Sequence, residues 1–177
     1  MKPYCAFLRG VNVNGHTMKM SDVCDVFSRA GMSDVISALA SGNIIFRSAH
    51  SQNKLRKILE QAMAKYYGGQ ISLFVKNAGE IKTMIKSAPF VKNAKFHVYA
   101  FICEAGFEDT LINEFRGVAA APDEDAKIRG GVFYWQCAKG ATLDSGFSKI
   151  LGRKDMKDKF TSRNIGTIEK ITAKFGM

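Results

Sequence analysis

At 177 residues, with 46% hydrophobic and 24% charged residues, the chain has room for one large domain or two small ones sharing a core, and its composition excludes intrinsic disorder. No apolar run is long enough to cross a bilayer, and the short stretch from Tyr4 to Leu8 meets Arg9 too soon to be a secretory signal, so a cytoplasmic protein with no membrane partner is expected. The net charge of +10 favours anionic partners over cationic ones.

Tyr4–Leu8 is β-prone and is expected as the first strand, followed by a Gly/Asn-rich loop from Gly10 to Gly15. Ser21 or Asp22 supplies an N-cap for a helix whose Val23, Val26, Phe27 and Ala30 recur at helical spacing, and Gly31 stops it. Val35–Leu39 and Ile44–Phe46 are expected as strands, with turn chemistry from Ser41-Gly42-Asn43 between them. Gln52–Tyr67 reads as a helix with Leu55, Ile58, Leu59, Ala62, Met63 and Tyr66 on one face, ended by Gly68-Gly69. Ile71–Val75 completes a β-α-β-β-α-β order, the ferredoxin-like arrangement.

After a connecting helix over Ala78–Ser87, a similar order begins again. Phe96–Cys103 is strand-like, Phe107–Phe115 is helical with Phe107, Leu111, Ile112 and Phe115 inward, and Ala126–Arg129 and Val132–Cys137 form a hairpin around Gly130-Gly131. From Asp144 the chain reads as at least two helical pieces. In the last of these, Thr161 or Ser162 is the N-cap and Ile165, Ile168, Ile171 and Phe175 fall on a core face. Tyr4-Cys5-Ala6-Phe7 loosely matches Tyr99-Ala100-Phe101-Ile102, as a duplication would require. The fold expected is α+β: two ferredoxin-like, βαββ-containing halves packed together, with a helical C-terminal tail. The divisions are residues 1–77, residues 78–143, and a tail over residues 144–177 that packs back on the first half.

Cys5, Cys24, Cys103 and Cys137 are far apart in sequence and read as small buried hydrophobes. His16, His50 and His97 are scattered, and no Cys/His/Asp/Glu cluster has ligand spacing. No metal site and no cofactor are therefore expected. Gly10–Thr17 follows a strand and nearly matches the phosphate-loop pattern G-x-x-x-x-G-K-[ST]. However, His16 replaces the lysine, and the next helix starts too late to receive a phosphate there. Two readings of this loop stay open: an anion-holding glycine loop, and a tight turn that answers only backbone demands.

Three blocks of the sequence resemble the bacterial domain-of-unknown-function 1697 family. They are Leu8-Arg9-Gly10-Val11-Asn12-Val13 with Gly15 and Lys19-Met20; Ser41-Gly42-Asn43-Ile44-Ile45-Phe46; and Thr161-Ser162-Arg163-Asn164-Ile165-Gly166-Thr167 with Lys170. Asn14 departs from the pattern, standing where the first Gly of the family's Gly-Gly pair is usual. The resemblance implies an α+β fold with ferredoxin-like parts and implies no activity.

Joining the blocks gives a candidate basic cleft for an anionic small molecule. Arg9 and Arg163 would hold the anion and Asn12 and Asn43 would orient it, with Lys19, Ser41, Asn164 and Lys170 alongside. Two other readings stay open. The β-α-β-β-α-β order and the basic charge fit an RNA or single-stranded nucleic-acid module, although Phe46 is the only aromatic on the third strand. An enzyme of unknown reaction could use the same cleft, but the sequence carries no G-x-S-x-G, no H-E-x-x-H and no paired carboxylates near the blocks. The catalytic residues therefore stay unknown.

Overall fold

The computed structural model describes residues 1–10, 12–13, 16–91, 93–118, 121–142, 145–156 and 158–176, and the side chains of residues 12, 13 and 16 are also outside the description. The chain divides into two compact units, Met1–Lys82 with Glu169–Met177, and Thr83–Ile168.

The first unit contains β1 (Lys2–Leu8), a short ribbon of β2 (Asn12–Val13) and β3 (His16–Thr17), α1 (Met20–Arg29), β4 (Ser33–Ser37), β5 (Asn43–Ser48), α2 (Gln52–Tyr67) and β6 (Leu73–Asn77). Its four-stranded antiparallel sheet has the order β4-β5-β1-β6. Next come α3 (Ala78–Lys86), β7 (Phe96–Cys103), α4 (Phe107–Arg116), β8 (Asp125–Arg129), β9 (Val132–Ala138), α5 (Gly146–Leu151), β10 (Phe160–Asn164) and α6 (Ile165–Ala173). The sheet of the second unit has the order β10-β7-β9-β8. If the sheet strands of each unit are numbered one to four along the chain, both sheets run 4-1-3-2. Each unit is therefore a complete β-α-β-β-α-β arrangement, and two ferredoxin-like halves are present as expected.

Side-chain alternation explains the first core. Tyr4, Ala6 and Leu8 of β1, Ile44 and Phe46 of β5, and Leu73 and Val75 of β6 share one face. They pack on Val23, Val26 and Phe27 of α1 and on Leu55, Leu59 and Met63 of α2. In the second unit Phe101, Phe133, Trp135, Cys137 and Phe160 meet Leu111, Ile112 and Phe115 of α4 and Phe147 of α5. The opposite faces are covered too: Cys5, Phe7, Ile45 and Phe74 in the first sheet, and Val98, Ala100, Ile102 and Tyr134 in the second, are all buried. Strands covered on both faces need apolar residues at every position, which is why β1 and β7 read as nearly continuous apolar runs.

The internal match between the halves is carried by register. Tyr4 pairs with Phe46 on one side and Asn77 on the other. Tyr99 pairs with Trp135 and Asn164 in the same way. Both tyrosines stack on their partners, with ring centroids 5.8 Å apart for Tyr4–Phe46 and 5.6 Å for Tyr99–Trp135. The hairpin turn at Gly130-Gly131 is of the primed kind, with φ of 59° and 70°, a geometry that glycine adopts without a Cβ clash.

Several local expectations are corrected. Helix α1 starts at Met20 with Lys19 at the N-cap and no capping side chain, earlier than a cap at Ser21 or Asp22 requires. Tyr66 is 52% exposed, and Tyr67 packs against the core in its place. Thr161 and Ser162 do not cap a helix. They lie in β10, which hydrogen-bonds to β7, so a strand interrupts the helical tail. His16-Thr17 pair within a ribbon and α1 begins beyond them, so Thr17 does not open a helix as a phosphate loop requires; residues 11, 14 and 15 of that loop lie outside the described residues.

Candidate functional site

The first two sequence blocks meet at one end of the first sheet. Strand β1 ends at Leu8, whose N–H donates to the Gly42 carbonyl at 2.8 Å, and the Arg9 N–H donates to the Ser72 carbonyl at 2.9 Å. Because β1 and β5 are antiparallel, with Phe7 opposite Asn43, the end of β1 lies beside the start of β5. Arg9 thus sits between the Ser41–Asn43 turn and the approach to β6. Its side chain is half-buried, whereas Lys19, at the start of α1, is exposed.

The turn itself is built around Asn43. This side chain is fully buried, and its Nδ2 donates to the Ala38 carbonyl at 3.0 Å and to Ser41 Oγ at 2.9 Å. The Ala38 N–H donates back to the Asn43 carbonyl at 2.8 Å, closing the loop, while Gly42 takes a φ of 69°. A buried amide whose hydrogens serve its own loop fixes the position of Ser41, and Ser41 is exposed at the surface. The side chain of Asn12 lies outside the described residues; its backbone pairs with Thr17 in the ribbon.

Residues 161–167 of the third block lie in the second unit, and Lys170 falls in the first. Arg163 is on β10, where its Nη1 donates to Thr161 Oγ1 at 2.7 Å and to the Ser162 carbonyl at 2.8 Å. Asn164 ends that strand. Its Oδ1 accepts from the Gly166 N–H at 2.9 Å, and its Nδ2 lies 3.0 Å from His97 Nδ1. It therefore caps α6 while tying the helix start to β7. Lys170 is exposed on α6.

Sequence reasoning missed that this arrangement occurs twice. Lys76-Asn77-Ala78-Gly79-Glu80-Ile81 and Arg163-Asn164-Ile165-Gly166-Thr167-Ile168 share a basic residue, Asn, then x-Gly-x-Ile. Both span a strand that passes directly into a helix. Asn77 Oδ1 accepts from the Glu80 N–H at 3.0 Å, and Glu80 returns the bond by accepting from the Asn77 N–H at 2.9 Å. This is the reciprocal pattern of a capping box. In both copies a Cβ on the following glycine would crowd the Asn Oδ1, at 3.1 Å for Gly79 and 3.3 Å for Gly166. Aligning the two segments is the signal that could have found β10.

A third feature was not anticipated from sequence. An open depression of about 470 Å³ in the second unit is lined by Asn93, Phe96, His97, Val98, Lys139 and Asn164, together with Ala94 and Ile165.

A family model described as a protein of unknown function, DUF1697, matches residues 1–134, which takes in the first two blocks and ends before the third. Among solved structures, this chain is similar to conserved bacterial protein SP0830 from Streptococcus pneumoniae. The two share 22% sequence identity with a TM-score of 0.81, over 100% of this chain and 99% of that one. At that identity the likeness carries the fold. No curated protein is similar enough to count as a match.

Proposed function

The chain belongs to the DUF1697 family, whose description names no activity, and we propose that this member binds a small anionic, phosphate-bearing ligand at the basic end of its first sheet. The observation that carries the reading is that Arg9, at the end of β1, lies beside the turn bearing Ser41, through the Leu8–Gly42 and Arg9–Ser72 hydrogen bonds, with Lys19 exposed at the start of the helix that follows β1. Arg9 supplies a planar fork suited to an oxyanion, Lys19 a mobile charge, and Ser41 a hydroxyl. Asn43 serves the ligand indirectly, by fixing the turn that presents Ser41. A net charge of +10 raises the local concentration of anions around such a site.

The test is calorimetric titration of the full chain with inorganic phosphate and with a nucleoside monophosphate. Arg9→Ala is expected to weaken binding about tenfold, the loss of one charge-assisted interaction, with an unchanged unfolding midpoint. Equal affinity in wild type and Arg9→Ala would remove the reading.

A further inference from the structure

We propose that the depression in the second unit is a separate oxyanion site, in which His97 and Lys139 are the binding residues. This site uses none of the first-unit residues discussed above. The evidence begins with Asn164. Its Oδ1 is committed to the Gly166 N–H at 2.9 Å, which fixes the orientation of the amide and turns its NH2 group toward His97 Nδ1, 3.0 Å away. The ring nitrogen facing an NH2 group must accept. His97 therefore carries its proton on Nε2 and offers that N–H as a donor.

Asn93 is arranged by the same logic. Its Oδ1 accepts from the Lys95 N–H at 2.7 Å, which leaves its NH2 group as the donor it can offer. Lys139 is anchored by its own N–H, which donates to the Lys95 carbonyl at 2.9 Å, and it brings a positive charge to the wall. The polar side chains lining the depression are thus Asn93, His97, Lys139 and Asn164. Each carries a hydrogen-bond donor, and among the described residues no carboxylate lines the depression. Donors gathered on one concave surface without a counter-charge select an oxyanion. Phe96, Val98 and Ile165 on the same wall suit an apolar body attached to it. The ligand class is an organic phosphate or carboxylate.

The experiment is a heteronuclear NMR titration of the full chain, labelled with 15N, at constant ionic strength. Inorganic phosphate is used in one series and acetate in another. In the free protein the His97 ring is expected as the Nε2–H form, and added anion is expected to shift its Nε2 signal along a saturable curve. Saturation by phosphate alone assigns phosphate esters; saturation by acetate as well extends the class to carboxylates. Lys139→Ala, at an exposed position, is expected to weaken the response about tenfold, while Arg9→Ala leaves it unchanged. An Nδ1–H form of His97, a non-saturating response in both series, or a Lys139→Ala variant that titrates like wild type would each overturn the proposal. Because Arg9→Ala separates the two sites, this outcome does not depend on that of the first-sheet site.

Discussion

Tyr134 shows what full burial does to a single polar group. Its hydroxyl donates to the Met84 carbonyl at 2.7 Å while its ring lies in the interior. Burial disfavours the phenolate and pushes its pKa up from 10 to about 12. As pH rises, the unfolded chain loses this proton first. The stability contributed by protonated Tyr134 is therefore complete below pH 10 and is lost between about 10 and 12, up to roughly 3 kcal/mol. Tyr134→Phe cannot titrate. Chemical denaturation at intervals from pH 9 to 12 is expected to show wild type losing stability more steeply than this variant. Near neutral pH the variant should be less stable by about 1 kcal/mol, the net worth of one hydrogen bond. Parallel pH profiles would show that the hydroxyl is not shielded. A contrasting residue is Asn43, whose Ser-Gly-Asn setting reads from sequence as ligand chemistry. The structure shows the amide spent on its own turn, because a side chain that leaves the surface must satisfy its donors from within.

At the scale of elements, legibility in the sequence followed periodicity. Gln52–Tyr67 and Phe96–Cys103 were delimited correctly from pattern alone, since both carry a full set of apolar residues at the expected spacing. Strand β10 was not legible that way. Phe160-Thr161-Ser162-Arg163-Asn164 has one large apolar residue, and its strand character comes from pairing with β7, a tertiary effect that outweighs local preference. The nearness of the first two blocks is legible in the sequence, since the end of β1 and the Ser41–Asn43 turn lie side by side. His97 and Lys139, which line one depression, are far apart in sequence and are brought near each other by the β7–β9 pairing, in which His97 lies opposite Cys137. The repeated Asn-x-Gly junction leads to a prediction. Asn77→Ala and Asn164→Ala each remove a side-chain cap and should each cost about 1 kcal/mol. Each also loses the bond its Nδ2 makes, and Asn77→Ala should cost the more, since that bond goes to the Glu80 carboxylate at 2.7 Å whereas the Asn164 Nδ2 faces the His97 ring nitrogen at 3.0 Å. Equilibrium unfolding of the two variants checks both the size and the ranking; no loss in either would mean that the strand-to-helix junctions need no cap.

For the whole molecule, the question is how a protein of charge +10 built from two ferredoxin-like halves would engage nucleic acid. The RNA-recognition mode requires an open sheet face carrying aromatic residues on which bases stack. Here the inner-strand residues on both faces of both sheets are buried. Tyr4 and Phe46 stack within the first core, and Trp135 is buried beneath Tyr99 and Phe147. The basic surface can still attract a polyanion through charge, but such binding is salt-dependent and leaves the buried rings untouched. The chain has a single tryptophan, so its fluorescence reports directly on this distinction. Emission from Trp135 is expected to be blue-shifted and resistant to iodide. Mixed single-stranded oligonucleotides are expected to leave it unquenched even at low salt, where electrostatic association is strongest. Quenching that saturates with oligonucleotide would mean that a sheet face opens to accept bases, and the nucleic-acid reading would then displace the small-anion one.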